Sequence, residues 1–193
     1  MSTALHNLLS TDQALFLWLN GQHTPFWDIV MASFTYKFTW IPLYLLLIYI
    51  LISNFKTRAL GYLLCLIAVV ALSDQIASGL FKPYFMRLRP CHDPIISSLV
   101  HVLDGCGGQY GFISSHAATG FGIATSFNLI PPNKIRWAPW LYAWAFVYAY
   151  SRIYVGVHYP LDLVVGALVG VLVAIILVSV YRLLTRSVES RYF

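Results

Sequence analysis

LDLVVGALVGVLVAIILVSVYRLL, residues 161–184, carries the decision about the fold. Its charged residues are Asp162 near one end and Arg182 near the other, and everything between them is uncharged. A run of this length and apolarity crosses ~30 Å of hydrocarbon as one α-helix, which takes about 20 residues. Four weaker runs precede it, at Phe38–Ile52, Ala59–Phe81, His116–Ile130 and Trp137–Tyr154. Composition agrees with the runs. Of 193 residues, 59% are hydrophobic and 10% charged, and the mean hydropathy is +0.72. Soluble domains carry about 25% charged residues, and a soluble chain this small cannot hide so much apolar surface. A soluble enzyme, a disordered chain and a nucleic-acid binder are excluded. The expected fold is an all-α, polytopic membrane helical bundle, one domain over 1–193, with about five to six transmembrane helices.

The N-terminal segment, 1–36, reads as short interfacial helices. Ser10, Thr11 and Asp12 are N-cap types, followed by a short apolar face of Leu15, Phe16, Trp18 and Leu19 that ends at Gly21. Pro25 opens a second stretch, Phe26–Phe34, too short to span alone; it either lies on the membrane or leads into the first span. No basic region of the signal-peptide type precedes the first apolar stretch.

Basic residues orient the bundle. Lys56 and Arg58, Lys134 and Arg136, and Arg182, Arg186 and Arg191 fall on one side if five spans alternate. By the positive-inside rule that side is the cytoplasm. The opposite side then holds the long loop 82–115 and the segment 151–160, with Lys82, Arg87, Arg89 and Arg152. Positive charge there runs against the insertion bias, and anion binding is the simplest use for it.

Three clusters meet on that outer face: Lys82-Pro83-Tyr84-Phe85-Met86-Arg87-Leu88-Arg89-Pro90, Gly111-Phe112-Ile113-Ser114-Ser115-His116, and Ser151-Arg152 through His158 to Asp162. Lys82, Arg89 and Arg152 offer cations, and arginine forks match phosphate oxygens. Ser114 and the amides after it open a helix, where unpaired N–H groups attract an anion. His158 and Asp162, four apart, share a face if a helix begins near Tyr159–Pro160. The carboxylate then fixes the imidazole tautomer and leaves the other ring nitrogen to attack. His116 protonates the leaving oxygen. These parts suffice for phosphoryl transfer through a phosphohistidine without a metal or cofactor.

The pattern Lys82-x6-Arg89-Pro90, Ser114-Ser115-His116, Ser151-Arg152-x5-His158-x3-Asp162 resembles the phosphatidic acid phosphatase type 2 superfamily of membrane lipid phosphatases. The resemblance implies that Lys82, Arg89, Ser114, Ser115 and Arg152 bind phosphate. It implies His158 as nucleophile, His116 as general acid and Asp162 as the support of His158. The family's second motif usually reads Pro-Ser-Gly-His, and here it is Ile113-Ser114-Ser115-His116; the departure that matters is Ser115 in place of glycine, which adds a side chain beside the phosphate. Soluble vanadium haloperoxidases share the site, so vanadate is the expected inhibitor.

The expected substrate is a lipid phosphate in the bilayer, at the outer face of a bacterial cytoplasmic membrane. Undecaprenyl diphosphate is the first choice, with phosphatidylglycerophosphate and lipid A phosphate as alternatives. A lipid phosphotransferase and an anion or lipid transporter are the competing classes. The transporter is disfavoured by the lack of internal repeats.

Other residues have plainer readings. Arg87 is divided between surface and headgroup contact, and Asp74 reads as a buried hydrogen-bonding group of the bundle. Trp137, Trp140 and Tyr181 read as interfacial anchors, and Cys65 as a small buried residue. His92, Asp93, His101 and Asp104 read as solvated loop residues rather than metal ligands, and Gly105, Gly107 and Gly108 as loop punctuation. Cys91 and Cys106 share the outer loop, where an oxidising compartment permits a disulfide. Such a bridge would hold Arg89-Pro90 in register with Ser114.

Overall fold

The structure, a computed structural model, describes residues 3–103, 105–130 and 135–192, with side chains through 185. Asp104, Lys134 and the side chains of Arg186 and Arg191 lie outside the described residues. Among the described residues eight α-helices follow in order: α1 (Thr3–Asn20), α2 (Pro25–Thr35), α3 (Ile41–Phe55), α4 (Ala59–Gln75), α5 (Lys82–Phe85), α6 (Ser115–Leu129), α7 (Trp140–Tyr154) and α8 (Pro160–Tyr192). A π-helical stretch, Ile76–Phe81, joins α4 to α5. Among the described residues the sole strand-like pairing is an isolated bridge between Leu88 and Tyr110.

The five expected runs are helical; the second passes from α-helix into the π-helical stretch, the last continues beyond its expected end at Leu184 to Tyr192, and the other ends shift by a few residues. Among the described residues two segments are long and apolar enough to cross a membrane, Lys37–Phe85 and Pro160–Thr185. The first folds back on itself. Lys56 takes a left-handed φ of 45°, and Phe55 then meets Tyr62 with ring centroids 4.8 Å apart. Leu45, Tyr49, Leu60, Leu64, Phe146, Leu168, Leu172 and Ile176 point outward and are more than half exposed. So continuous an apolar exterior is untenable in water, and the protein is membrane-embedded.

The centre is α6, flanked by α4, α7 and α8. It is rich in small residues, with Ala117, Ala118, Gly120, Gly122 and Ala124 all buried. Opposite them α8 carries Gly166-x3-Gly170. A Cβ at Gly166 would stand 2.6 Å from the Ser114 carbonyl oxygen, and one at Gly170 would overlap the carbonyl of Ala118. This is small-residue packing of membrane helices, in which backbones approach closely. It sets the start of α6, with Ser114 and His116, beside the start of α8, with Asp162. A second core of Phe55, Ala59, Tyr62, Phe127, Ile130, Ile135 and Leu141 fills the far end.

The N-terminal segment departs from expectation. Helix α1 runs through Ser10, Thr11 and Asp12 rather than starting at them. The Ser10 and Thr11 hydroxyls donate back to the Asn7 carbonyl at 2.9 and 2.8 Å, which lets a capping residue sit mid-helix. Asp12, Phe16 and Asn20, spaced by four, form the buried stripe of α1. Helix α2 begins as expected, with Pro25 in its first turn and Thr24 as cap, accepting from the Trp27 amide at 3.3 Å.

Candidate active site

The three sequence clusters converge on one end of the bundle. Lys82 extends the α4 rod, Arg89 lies just beyond it, Ser114, Ser115 and His116 open α6, Arg152 ends α7, and His158 and Asp162 flank the start of α8.

His158 and Asp162 are the centre. His158 Nδ1 stands 3.2 Å from Asp162 Oδ2, and both residues are buried, at 2% and 0% exposure. The contact arises because α8 starts at Pro160, so the carboxylate of its first turn reaches back over the residues before it. Asp162 Oδ2 also accepts from the Tyr159 amide at 3.0 Å, and the Asp162 carbonyl accepts from the Ser114 amide at 3.0 Å. The α6 and α8 starts are thereby joined. Burial first, then the charges of Arg152, Arg89, Lys82 and Arg87, hold the His158 imidazole well below its usual pKa. It is therefore neutral near pH 7, the form a nitrogen nucleophile requires.

The cations surround this pair. Arg89 is buried and lies over the outer loop, its Nε donating to the Tyr110 carbonyl at 3.3 Å and Nη1 to the Cys106 carbonyl at 3.1 Å. Cys91 and Cys106 form a disulfide with Cα atoms 5.9 Å apart. The bridge closes the loop that holds Arg89, as the sequence argument proposed. Lys82 Nζ donates to the Ser115 hydroxyl at 3.2 Å and the Ser78 hydroxyl at 3.3 Å. The two hydroxyls are 2.9 Å apart. The side chain at the departing position therefore meets the lysine of the first cluster. Ser78 in turn donates to Asp74 Oδ1 at 3.4 Å, so Asp74 ends a relay from Lys82. Ser114 caps α6, its hydroxyl accepting from the Ala117 amide at 3.4 Å.

Several residues beside the site were read differently or passed over. Arg87, read as a surface or headgroup contact, is instead largely buried against two carboxylates. Its Nη1 donates to Asp162 Oδ1 at 2.9 Å and its Nη2 to Asp12 Oδ2 at 2.6 Å. Its guanidinium lies 4.1 Å from the Tyr159 ring centroid. Asp12 Oδ1 accepts from the Leu161 amide at 2.8 Å, at the first turn of α8. A residue read as a helix cap is thus a buried support of the site, and only its place on the Asp12–Phe16–Asn20 stripe could have signalled that. Thr35, at the end of α2, accepts from Arg152 Nη1 through its hydroxyl and from the His116 ring through its carbonyl. The His116 ring also packs on Tyr148, with centroids 4.9 Å apart.

Gly111 lies directly over the His158–Asp162 pair. A Cβ there would stand 3.1 Å from Asp162 Oδ2 and 3.2 Å from Arg89 Cγ. Of the loop histidines and aspartates that the structure describes, His92 is exposed, as expected, whereas Asp93 and His101 are half-buried and partnered. Asp93 accepts from the Tyr159 hydroxyl at 3.0 Å, and His101 Nε2 stands 3.0 Å from Asp28 Oδ1. His92 Nε2 lies 3.4 Å from the Gly107 carbonyl.

Comparison with known proteins bears on this geometry. The family model described as the PAP2 superfamily matches residues 58–186. The chain is 40% identical over 120 residues to the lipid A 4'-phosphatase of Bacteroides thetaiotaomicron, covering 61% of this chain and 53% of that protein. It is 34% identical over 136 residues to the lipid A 4'-phosphatase of Porphyromonas gingivalis, covering 69% of this chain and 58% of that protein. The chain thus spans somewhat over half the length of these curated relatives. Among solved structures, Aquifex aeolicus LpxE superposes with a TM-score of 0.67 at 30% identity, over 86% of this chain and 93% of that one. The PAP2-type phosphatidylglycerolphosphate phosphatase of Bacillus subtilis superposes with a TM-score of 0.66 at 20% identity, over 100% of this chain and 89% of that one. The latter likeness is one of fold.

Proposed function

We propose that this chain, which belongs to the PAP2 superfamily, is a lipid phosphate phosphatase whose substrate is a lipid A phosphate. The observation that carries the chemistry is the buried His158–Asp162 pair beside His116 and ringed by Lys82, Arg89 and Arg152. The substrate choice rests on the two relatives named lipid A 4'-phosphatase. They favour lipid A over undecaprenyl diphosphate, the first choice from sequence.

The reaction takes two steps. The phosphate enters among Lys82, Arg89, Arg152 and the amides opening α6, which offset its charge and stabilise the transition state more than the ground state. Asp162 holds Nδ1 of His158, so Nε2 attacks phosphorus. A P–N bond forms as the P–O bond to the lipid breaks, and His116 gives its proton to the departing lipid oxygen. Water then attacks the phosphohistidine, His116 takes a proton from it, and the P–N bond breaks to release inorganic phosphate and neutral His158.

The surroundings suit a lipid headgroup. Tyr84, Phe85 and Met86 are exposed at the end of the α4–α5 rod, and Phe85 packs on Phe112 with centroids 4.9 Å apart. Aromatic residues of this kind sit at headgroup depth. We assign this end to the periplasmic side of a bacterial inner membrane, because Lys56, Arg58, Arg136 and Arg182 belong to the opposite end. Five to six transmembrane spans in one domain, 1–193, fit this orientation.

The test is phosphate release by purified protein from lipid A, undecaprenyl diphosphate, phosphatidylglycerophosphate and phosphatidate, with EDTA present. Preferred release from lipid A, blocked by vanadate, is expected. Preference for another lipid would overturn the substrate and leave the class standing. No release from any of them would overturn the class.

A further inference from the structure

We propose that His23, Asp28 and His101 form a binding site for a divalent transition metal ion, with Zn²⁺ as the probe, separate from the phosphate-binding residues. The three donor groups come from three places in the chain: the turn after α1, the first turn of α2 and the outer loop. Their ligand atoms all lie within 4.8 Å of one another. His101 Nε2 and Asp28 Oδ1 are 3.0 Å apart. That is near the ~3.3 Å edge of a tetrahedron with bonds of about 2.0 Å. Two imidazoles and a carboxylate suit zinc and its neighbours, whereas calcium and magnesium take oxygen ligands.

Two of the three ligands are already held. The His101 amide donates to Asn20 Oδ1 at 2.8 Å, and Asn20 Nδ2 donates back to the His101 carbonyl at 3.0 Å. Asn20 is itself buried and also donates to the Ile153 and Tyr154 carbonyls. The Tyr154 hydroxyl donates to Asp28 Oδ1 at 2.8 Å. Contacts of this kind, one layer out from the ligands, orient them and tune affinity by about 10- to 100-fold. His23 is the ligand that moves. Its ring stacks on His101 with centroids 3.8 Å apart and planes at 7°. Parallel rings cannot aim both lone pairs at one point, so metal binding turns the exposed His23 ring out of the stack. A water completes the four-coordinate shell.

The ion would clasp the outer loop, which holds Arg89, to the α1–α2 segment, whose Thr35 holds Arg152 and His116. The sequence signal for such a site is weak, because His23 and Asp28 lie more than seventy positions from His101.

The experiment uses the full-length protein in detergent, with its disulfide intact, stripped with EDTA and titrated with ZnCl2. Bound metal is counted by mass spectrometry, and affinity is read by calorimetry. One zinc per chain is expected. His23→Ala, in an exposed turn and so tolerated by the fold, and Asp28→Asn should each weaken binding at least about 10-fold. His92→Ala and His158→Ala should bind as the parent does. Zinc should also raise the melting temperature of the parent and not of His23→Ala, by mass action on the folded state. No bound zinc, binding untouched by His23→Ala and Asp28→Asn, or binding lost in His92→Ala or His158→Ala would overturn the proposal.

Discussion

Replacing Arg87 with methionine removes the cation shared by two buried carboxylates while keeping much of the side-chain length. The Asp12 and Asp162 side chains are 5% and 0% exposed, and Arg87 reaches them at 2.6 and 2.9 Å. Removing one partner of a buried ion pair costs about 3–5 kcal/mol, because the remaining charge is stranded. Arg87 is itself 19% exposed, so water reaches the vacated space and the lower end of that range applies. Asp12→Asn breaks one of the two charged contacts and keeps an acceptor for the Leu161 amide, so it should cost about 1.5–3 kcal/mol. The double variant should cost less than the sum of the two, by about 1–3 kcal/mol, since both changes delete the same bond.

Catalysis supplies the second readout for Arg87→Met. Asp162 loses the guanidinium that fixes Oδ1, and the His158 ring it orients is misplaced; a shift of this kind costs about 10²-fold in kcat. KM should move little, because Arg87 is not among the phosphate-binding residues. The pH profile separates positioning from mere instability. Arg87 is one of the charges holding the His158 pKa down, after burial, Arg152, Arg89 and Lys82. Its removal also leaves Asp162 freer to stabilise an imidazolium. Both effects raise the His158 pKa. The reactive form is neutral, so the acid limb of kcat/KM should move to higher pH. Stopped assays of folded variant between pH 4 and 8, beside thermal unfolding, decide the matter. Parent-like kcat with an unmoved acid limb would refute the positioning role.

Three further outcomes are expected. His158→Ala should abolish turnover while staying folded, whereas His116→Ala should lose most activity on the natural lipid and less on a substrate with a good leaving group; equal losses on both substrates remove His116 from the acid role. Gly111→Ala should push on Asp162 Oδ2 and Arg89 Cγ at the distances given above, costing about 1–3 kcal/mol as overpacking does, with kcat falling more than unfolding explains; a parent-like enzyme contradicts that packing. Cys106→Ser should lower stability by roughly 3 kcal/mol, the chain-entropy value for a closed loop of about 15 residues, and loosen phosphate binding through Arg89; two alkylatable thiols in unreduced parent protein would argue against the bridge.

The membrane class, the helical runs and the three polar clusters that meet at one end of the bundle were legible in the sequence because each depends on local pattern. A 24-residue apolar run needs no tertiary context to demand a bilayer. The His158-x3-Asp162 spacing places its pair on one face as soon as a helix starts at Pro160. The start of α1 was misread for the same reason: Ser10, Thr11 and Asp12 match a cap locally, but back-bonding to Asn7 and burial against α8 overrode that preference. What only the tertiary structure decided are the long-range polar contacts. Asp12 meets Arg87 and Leu161, Thr35 meets Arg152 and His116, and Asn20 meets His101. All three join the N-terminal segment to the site end, across separations that no periodicity encodes. A buried polar group must find a partner wherever the packing of apolar helices brings one within reach, and that packing, dictated here by the glycines of α8 against α6, is a property of the assembled bundle.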